Sequence, residues 1–170
     1  SFLSGTSAEE FQRYAAGAKV AGFEADKLAD VLKDVNDKTG EYLATGGGPL
    51  KDFFEQIAPK IGLAAEAFRG LSGPQALQLY YDSLEKANVS QAQATFYMEA
   101  LANDATALSP LLRDNGTEFK RIADEAESLG LILDDKLIRA SKEFNENLDR
   151  LQGLSRSVAA EIGNAIIPAM

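Results

Sequence analysis

Gly46, Gly47 and Gly48, followed by Pro49, Leu50 and Lys51, are the residues of this chain that most invite a phosphate. A phosphate-cradling loop needs a glycine-rich turn after a strand, then Lys and Ser or Thr where a helix begins. Here the flanking pattern is helical, and Lys51 is followed by Asp52. Pro49 also lacks the backbone N–H that would face an anion. The stretch Gly46, Gly47, Gly48, Pro49 therefore reads as a hinge: glycines close one helix and proline opens the next.

Carboxylates are the other candidates. Asp124, Glu125 and Glu127 form one cluster, and Asp134 with Asp135 a second. Both offer hard oxygen ligands, but neither has the spacing of a calcium-binding helix–loop–helix, with its central Gly and terminal Glu. Both fall on helix surfaces or helix starts, where carboxylates are favoured by the helix dipole alone. Two of the 26 acidic residues meeting in a groove would supply the pair that glycoside hydrolysis requires. No aromatic-rich sugar groove is visible, however, and Trp is absent. The expectation is a chain with no catalytic, metal-binding or cofactor-binding residues.

Composition narrows the field further. With neither Cys nor His, the chain lacks thiol nucleophiles, Ser-His-Asp triads, the usual zinc sites and disulfides. A net charge of −9, without a basic cluster, argues against direct nucleic-acid binding. No apolar run reaches the ~18 residues of a membrane span. The opening, "SFLSGTS", has no initiator Met and no signal-peptide layout, and the ending "AAEIGNAIIPAM" stops inside an apolar pattern. The chain reads as an internal piece of something longer.

The elements that must position these residues are helical throughout. Ala, Leu, Glu, Lys and Gln dominate, and alternating β-branched runs are missing. Ser7 with Glu10 and Ser90 with Gln93 are capping boxes. The first opens a helix with Phe11, Tyr14, Ala15 and Ala18 on one face, ending at Gly22. A second helix starts near Ala25 and buries Leu28, Val31, Leu32 and Val35. Pro49 opens a third, with Leu50, Phe53, Phe54 and Ile57 inward and Pro59 and Gly62 as breakers. A fourth is expected over Ala64 to Leu71, a fifth after Pro74 with Leu77, Tyr80, Tyr81 and Leu84, and a sixth after Ser90 with Phe96, Tyr97 and Leu101 as its apolar side. Leu108, Leu111 and Leu112, around Pro110, read as core. Asn115-Gly116 is a turn, and a seventh helix runs from Thr117 to Leu129 and stops at Gly130. "TSAEEF", "FEADKL" and "LAAEAF" echo one another weakly, as stacked helical hairpins would.

The last helix, capped by Asp134 and Asp135, differs in kind. Leu137, Ser141, Phe144, Leu148, Leu151, Ser155, Val158, Ile162 and Ala165 follow alternating steps of four and three. That 3.5-residue period is a coiled-coil seam, in which Leu137, Phe144, Leu148, Leu151, Val158 and Ile162 would carry self-association. Packing of this helix on its own domain is the competing reading. The expected fold is all-α: a compact array of about seven or eight helices in short hairpins over residues 1–133, then a long C-terminal helix over 134–170.

Three stretches carry a resemblance. "DKLADVLKDVNDKTGEYLATGGGPLKDFFEQIAPKIG" (Asp26 to Gly62) and "FRGLSGPQALQLYYDSLEKANVSQAQATFYMEALANDATALSPLLRDNG" (Phe68 to Gly116) resemble segments of tail tape measure proteins of long-tailed phages and prophages. So does the ending, with "FNENLDRLQ" before "AAEIGNAIIPAM". The resemblance implies a structural scaffold in the virion, in the lumen of the tail tube, and in the host cytoplasm during assembly. It implies tail tube protein, tail assembly chaperones and tail tip proteins as partners, and several copies per tail. Such a chain would set tail length and be expelled when DNA is ejected. No catalytic or ligand residue of that family maps onto this sequence. The rival classes are a carboxylate-dependent, lysozyme-like peptidoglycan-degrading module and a helical adaptor of a bacterial host. A single unbroken helix of 170 residues would span on the order of 250 Å. The breakers instead describe a chain that folds back when isolated and is more extended in a tail.

Overall fold

Three of the five α-helices start where a serine side chain replaces the missing ladder partner of the first turn. Ser7 accepts from the Glu10 N–H at 3.0 Å and opens α1 (Ala8–Val20). α2 (Ala25–Thr45) begins three residues after the turn at Gly22. Ser72 and Ser90 form full capping boxes with Gln75 and Gln93, and open α3 (Gly73–Lys86) and α4 (Gln91–Leu101). α5 (Ser109–Ser128) follows a 3₁₀ turn at Ala105–Leu108, with Pro110 in its first turn. These elements belong to a computed structural model that describes residues 5–133, Ala140, Lys142 to Phe144, Glu146, Asn147 and Arg150. The chain divides into two compact units, Ser1–Ile132 and Leu133–Met170. All regular elements among the described residues are helical, so the protein is all-α.

The first unit closes around aromatic rings. Phe53 lies at its centre, 4.1 Å from the Tyr80 ring and edge-on to Phe54, Phe68 and Tyr97 at 5.1, 6.1 and 6.4 Å. Tyr42 of α2 stacks on Phe54 at 4.2 Å. Leu28, Leu32 and Val35 of α2 and Leu77 and Leu84 of α3 surround this cluster, all buried. The Tyr80 hydroxyl donates to the Tyr97 carbonyl at 2.6 Å, which satisfies the one polar atom this ring brings inside. The expected inward faces of α2 and α3, and Leu50, Phe53, Phe54 and Ile57, are therefore core. So are Leu108, Leu111 and Leu112.

Three expectations need correction. The third helix is not regular α: Phe53–Ile57 is a π turn, in which Ala58 N–H reaches back five residues to Phe53, and Ala58–Ile61 is a 3₁₀ turn. Pro59 supplies the reason, since it has no N–H and its ring clashes with the carbonyl four residues back in an α ladder. The expected fourth helix is one 3₁₀ turn, Ala65–Phe68. Phe96 is not on the buried side of α4: it is 58% exposed, and Met98 takes the inward place beside Tyr97 and Leu101. In addition, the Glu10 carboxylate does not complete the first capping box. It accepts instead from the Ser72 hydroxyl and ties α1 to the start of α3.

α5 contains the sharpest departure. Arg113 is extended, and Asp114, Asn115 and Gly116 follow with φ of 53°, 60° and 75°. Three consecutive left-handed residues make one turn of the wrong hand, disfavoured by roughly 1–2 kcal/mol for each L-residue outside the types that tolerate it. Asp and Asn are those types, and Gly has no Cβ to object. The expected turn at Asn115-Gly116 is therefore present, with the expected helix beginning just after it: α5 is two helical stretches, 109–112 and 117–128, joined across the turn. Beyond it the helix runs to Ser128, with Gly130 left-handed just past its end, as expected.

Candidate functional site

The joint at Gly46–Pro49 is built to end α2, not to hold a phosphate. Gly46 is left-handed and caps α2, with its N–H on the Tyr42 carbonyl at 2.8 Å. Gly47 N–H donates to Thr45 Oγ1 at 3.1 Å, and Pro49 has no N–H to give. The Glu41 carboxylate lies against Gly48, where a Cβ would come within 2.6 Å of Glu41 Cδ. A second anion is repelled from that position. Gly48 has φ of 90°, so the positive-φ glycines here serve the exit from α2.

The acidic cluster on α5 is occupied by its own cations. Arg13 of α1 holds Asp124 at 2.6 Å and also reaches Glu127. Arg121 holds Glu118 at 2.5 Å and Glu125 at 3.5 Å. The hydrogen bond from Arg13 lowers the Asp124 carboxyl below the ordinary range. Among the described residues no group of three or more Asp or Glu is placed to hold a metal ion. Asp134 and Asp135 lie outside the described residues. So do Leu137, Leu148, Leu151, Val158 and Ile162 of the expected seam; of the six, only Phe144 is described, and it is 63% exposed.

One polar constellation was not anticipated. Gln78, Tyr81, Asp82 and Glu85 share one face of α3; Gln78, Tyr81 and Glu85 meet the break in α5, and Asp82 is bonded to Gln78. Gln78 Nε2 donates to the Leu112 carbonyl at 2.8 Å and to Asp82 Oδ1 at 2.7 Å. Tyr81 lies beside the Arg113 guanidinium, and Glu85 beside the Asp114 N–H. Burial raises the Asp82 carboxyl; burial, then Asp114 and Asp82, raise Glu85. The signal available in the sequence was the spacing of these residues at i, i+3, i+4 and i+7, beside an Asp-Asn-Gly turn.

Asp82 makes the stability pH-dependent in a direction opposite to Asp124. A raised carboxyl binds its proton more tightly in the folded state. Its contribution is therefore full below the unfolded value, near 4, and is lost as pH rises through the folded value. Asp82→Asn keeps an acceptor for Gln78 and removes the charge. At pH 7 it should melt about 1–3 °C higher than the parent, a modest shift because the site is partly solvated. The difference should vanish below about pH 4. Thermal melts of the two proteins from pH 3 to pH 7 check this; a lower melting point at pH 7 would contradict it.

Apolar surface gathers at the far ends of α1 and α5. A groove of about 460 Å³ is lined by Ala16, Val20, Ile122, Ala126, Leu129 and Leu131, with Lys19, Arg121 and Glu125 at its edge. Val20, Leu129 and Leu131 are each about two-thirds exposed. No helix among the described residues is long and apolar enough to cross a membrane. Comparisons with known protein families, curated proteins and solved structures give no match.

Proposed function

We propose that this chain is a structural segment of a phage or prophage tail tape measure protein. It sets tail length during assembly and leaves the tube when DNA is ejected. The observation that carries the reading is the ordered resemblance of Asp26 to Gly62 and Phe68 to Gly116 to segments of such proteins. The all-helical fold is compatible with it, and so is the chemistry of the described surface: the glycine joint is closed by Glu41, and the α5 carboxylates are held by arginines. Its place would be the tail lumen, with tail tube protein, assembly chaperones and tail tip proteins as partners and with several copies side by side.

The test is tail length. In-frame removal of residues 5–132 from the intact gene should shorten tails without abolishing them. The rival, a lysozyme-like module, requires that the purified chain release soluble fragments from peptidoglycan; clear turnover would overturn the scaffold reading. A bacterial adaptor would lack tail tube and tail tip genes beside its own.

A further inference from the structure

The break in α5 has three features that a passive turn does not need. First, it places Asp114 and Asn115, not only Gly116, in left-handed backbone. Second, α3 devotes a stripe of side chains to it. Gln78 holds the Leu112 carbonyl, and Tyr81 and Glu85 lie beside Arg113 and the Asp114 N–H. Gly116 lies so close to this stripe that a Cβ would stand 2.4 Å from Gln78 Oε1. Third, the apolar pattern ignores the break. Leu108, Leu112, Asn115, Phe119, Ile122, Ala126 and Leu129 follow steps of four and three without interruption. That is the register of a helix that never bends, with one polar position in its seam. Leu129 belongs to that register yet is 66% exposed in the bent form.

We propose that the left-handed turn Asp114 to Gly116 is a latch, held bent by the polar stripe of α3, whose release lets residues 109–128 run as one straight helix. α1 travels with the second half of α5. Phe119 packs on Gly17 and lies 4.5 Å from the Tyr14 ring, and Arg13 bridges to Asp124 and Glu127. The bond from Ser72 to Glu10 is one tie to α3 that must open, along with the packing of α1 on α2 and α3. Straightening joins the two apolar stretches into one seam. The inference concerns the fold and is independent of the tail assignment.

Spin labels at Ala107→Cys and Ser128→Cys test it in the full 170-residue chain, which has no other cysteine. A straight helix sets these Cα atoms about 32 Å apart, at about 1.5 Å per residue; the bent form gives a shorter distance. Asp114→Ala, Asn115→Ala and Gly116→Ala together remove the preference for left-handed backbone. The triple variant should show a population near the straight-helix distance and a stronger helical signal by circular dichroism. A folded variant that keeps only the parent's distance would overturn the latch. Should the triple variant not fold, Gln78→Ala with Glu85→Ala, leaving the turn intact, decides. A long-distance population of a tenth or more is expected there, and none at all would overturn the proposal.

Discussion

Phe53→Ala should remove about 3–5 kcal/mol of stability, the usual cost of truncating a buried aromatic side chain. Its ring is fully buried and meets rings from several elements of the first unit's core. Tyr80 comes from α3, Tyr97 from α4, Phe68 from the 3₁₀ turn, and Phe54 links it to Tyr42 on α2. Each ring pair adds about 0.5–1.5 kcal/mol beyond the area it buries. The cavity left by Ala is walled by rings held on four elements, so it cannot collapse cheaply. A domain of this size has on the order of 5–15 kcal/mol in total, so the variant should unfold at a far lower urea concentration with an unchanged slope. A loss below about 1 kcal/mol, the scale of an ordinary surface change, would mean that this ring cluster is not the core.

Gly17→Val should have the second-largest effect, from the opposite cause. An ideal Cβ at Gly17 would stand 2.4 Å from Phe119 Cδ1 and 2.8 Å from Cε1. The neighbour is a ring wedged beside Tyr14, not the loose end of a flexible chain. Overpacking of this kind costs roughly 1–3 kcal/mol. Valine gives back little in helix propensity, because its branched side chain is stiff in a helix. The expected result is a loss of about 2–3 kcal/mol, with α1 pushed away from α5. A second substitution shows the cause. Phe119→Leu should make Gly17→Val less costly, so that the double variant is more stable than the two single losses predict by at least ~0.5 kcal/mol. Strict additivity would mean that the two residues do not meet.

Sequence reading reached the helices and their inward faces because both depend on local signals. Ser7 and Ser90 stand before apolar residues at helical spacing, and each is an N-cap; Ser72, an N-cap too, is legible only as part of the Ser-Gly-Pro break before α3. Leu28, Val31, Leu32 and Val35 lie on one face by their spacing alone. What escaped depends on partners distant in the chain. Glu10 was read as closing its own capping box, but Ser72, 62 residues away, takes its carboxylate. Phe96 and Met98 both fit a helical face; only the position of Phe53 and Tyr80 decides that Tyr97 and Met98 go inside. The π turn at Phe53–Ile57 follows from Pro59, a visible residue with a consequence that local propensity does not encode. The candidate chemistry was legible in its negatives, since Pro49 and Asp52 spoil a phosphate loop on sight. The carboxylate of Glu41 against Gly48, and the grip of Arg13 on Asp124, required the fold.

Tail length after removal of residues 5–132 is the most direct measure of the proposed role. The 128 deleted residues would span at most about 190 Å as a continuous helix, and less if they remain folded in the tail. Tails imaged by electron microscopy should be uniformly shorter, by no more than that length, and duplication of the same segment should lengthen them. Tails of unchanged length, carrying the shortened protein, would contradict a length-setting role for this chain.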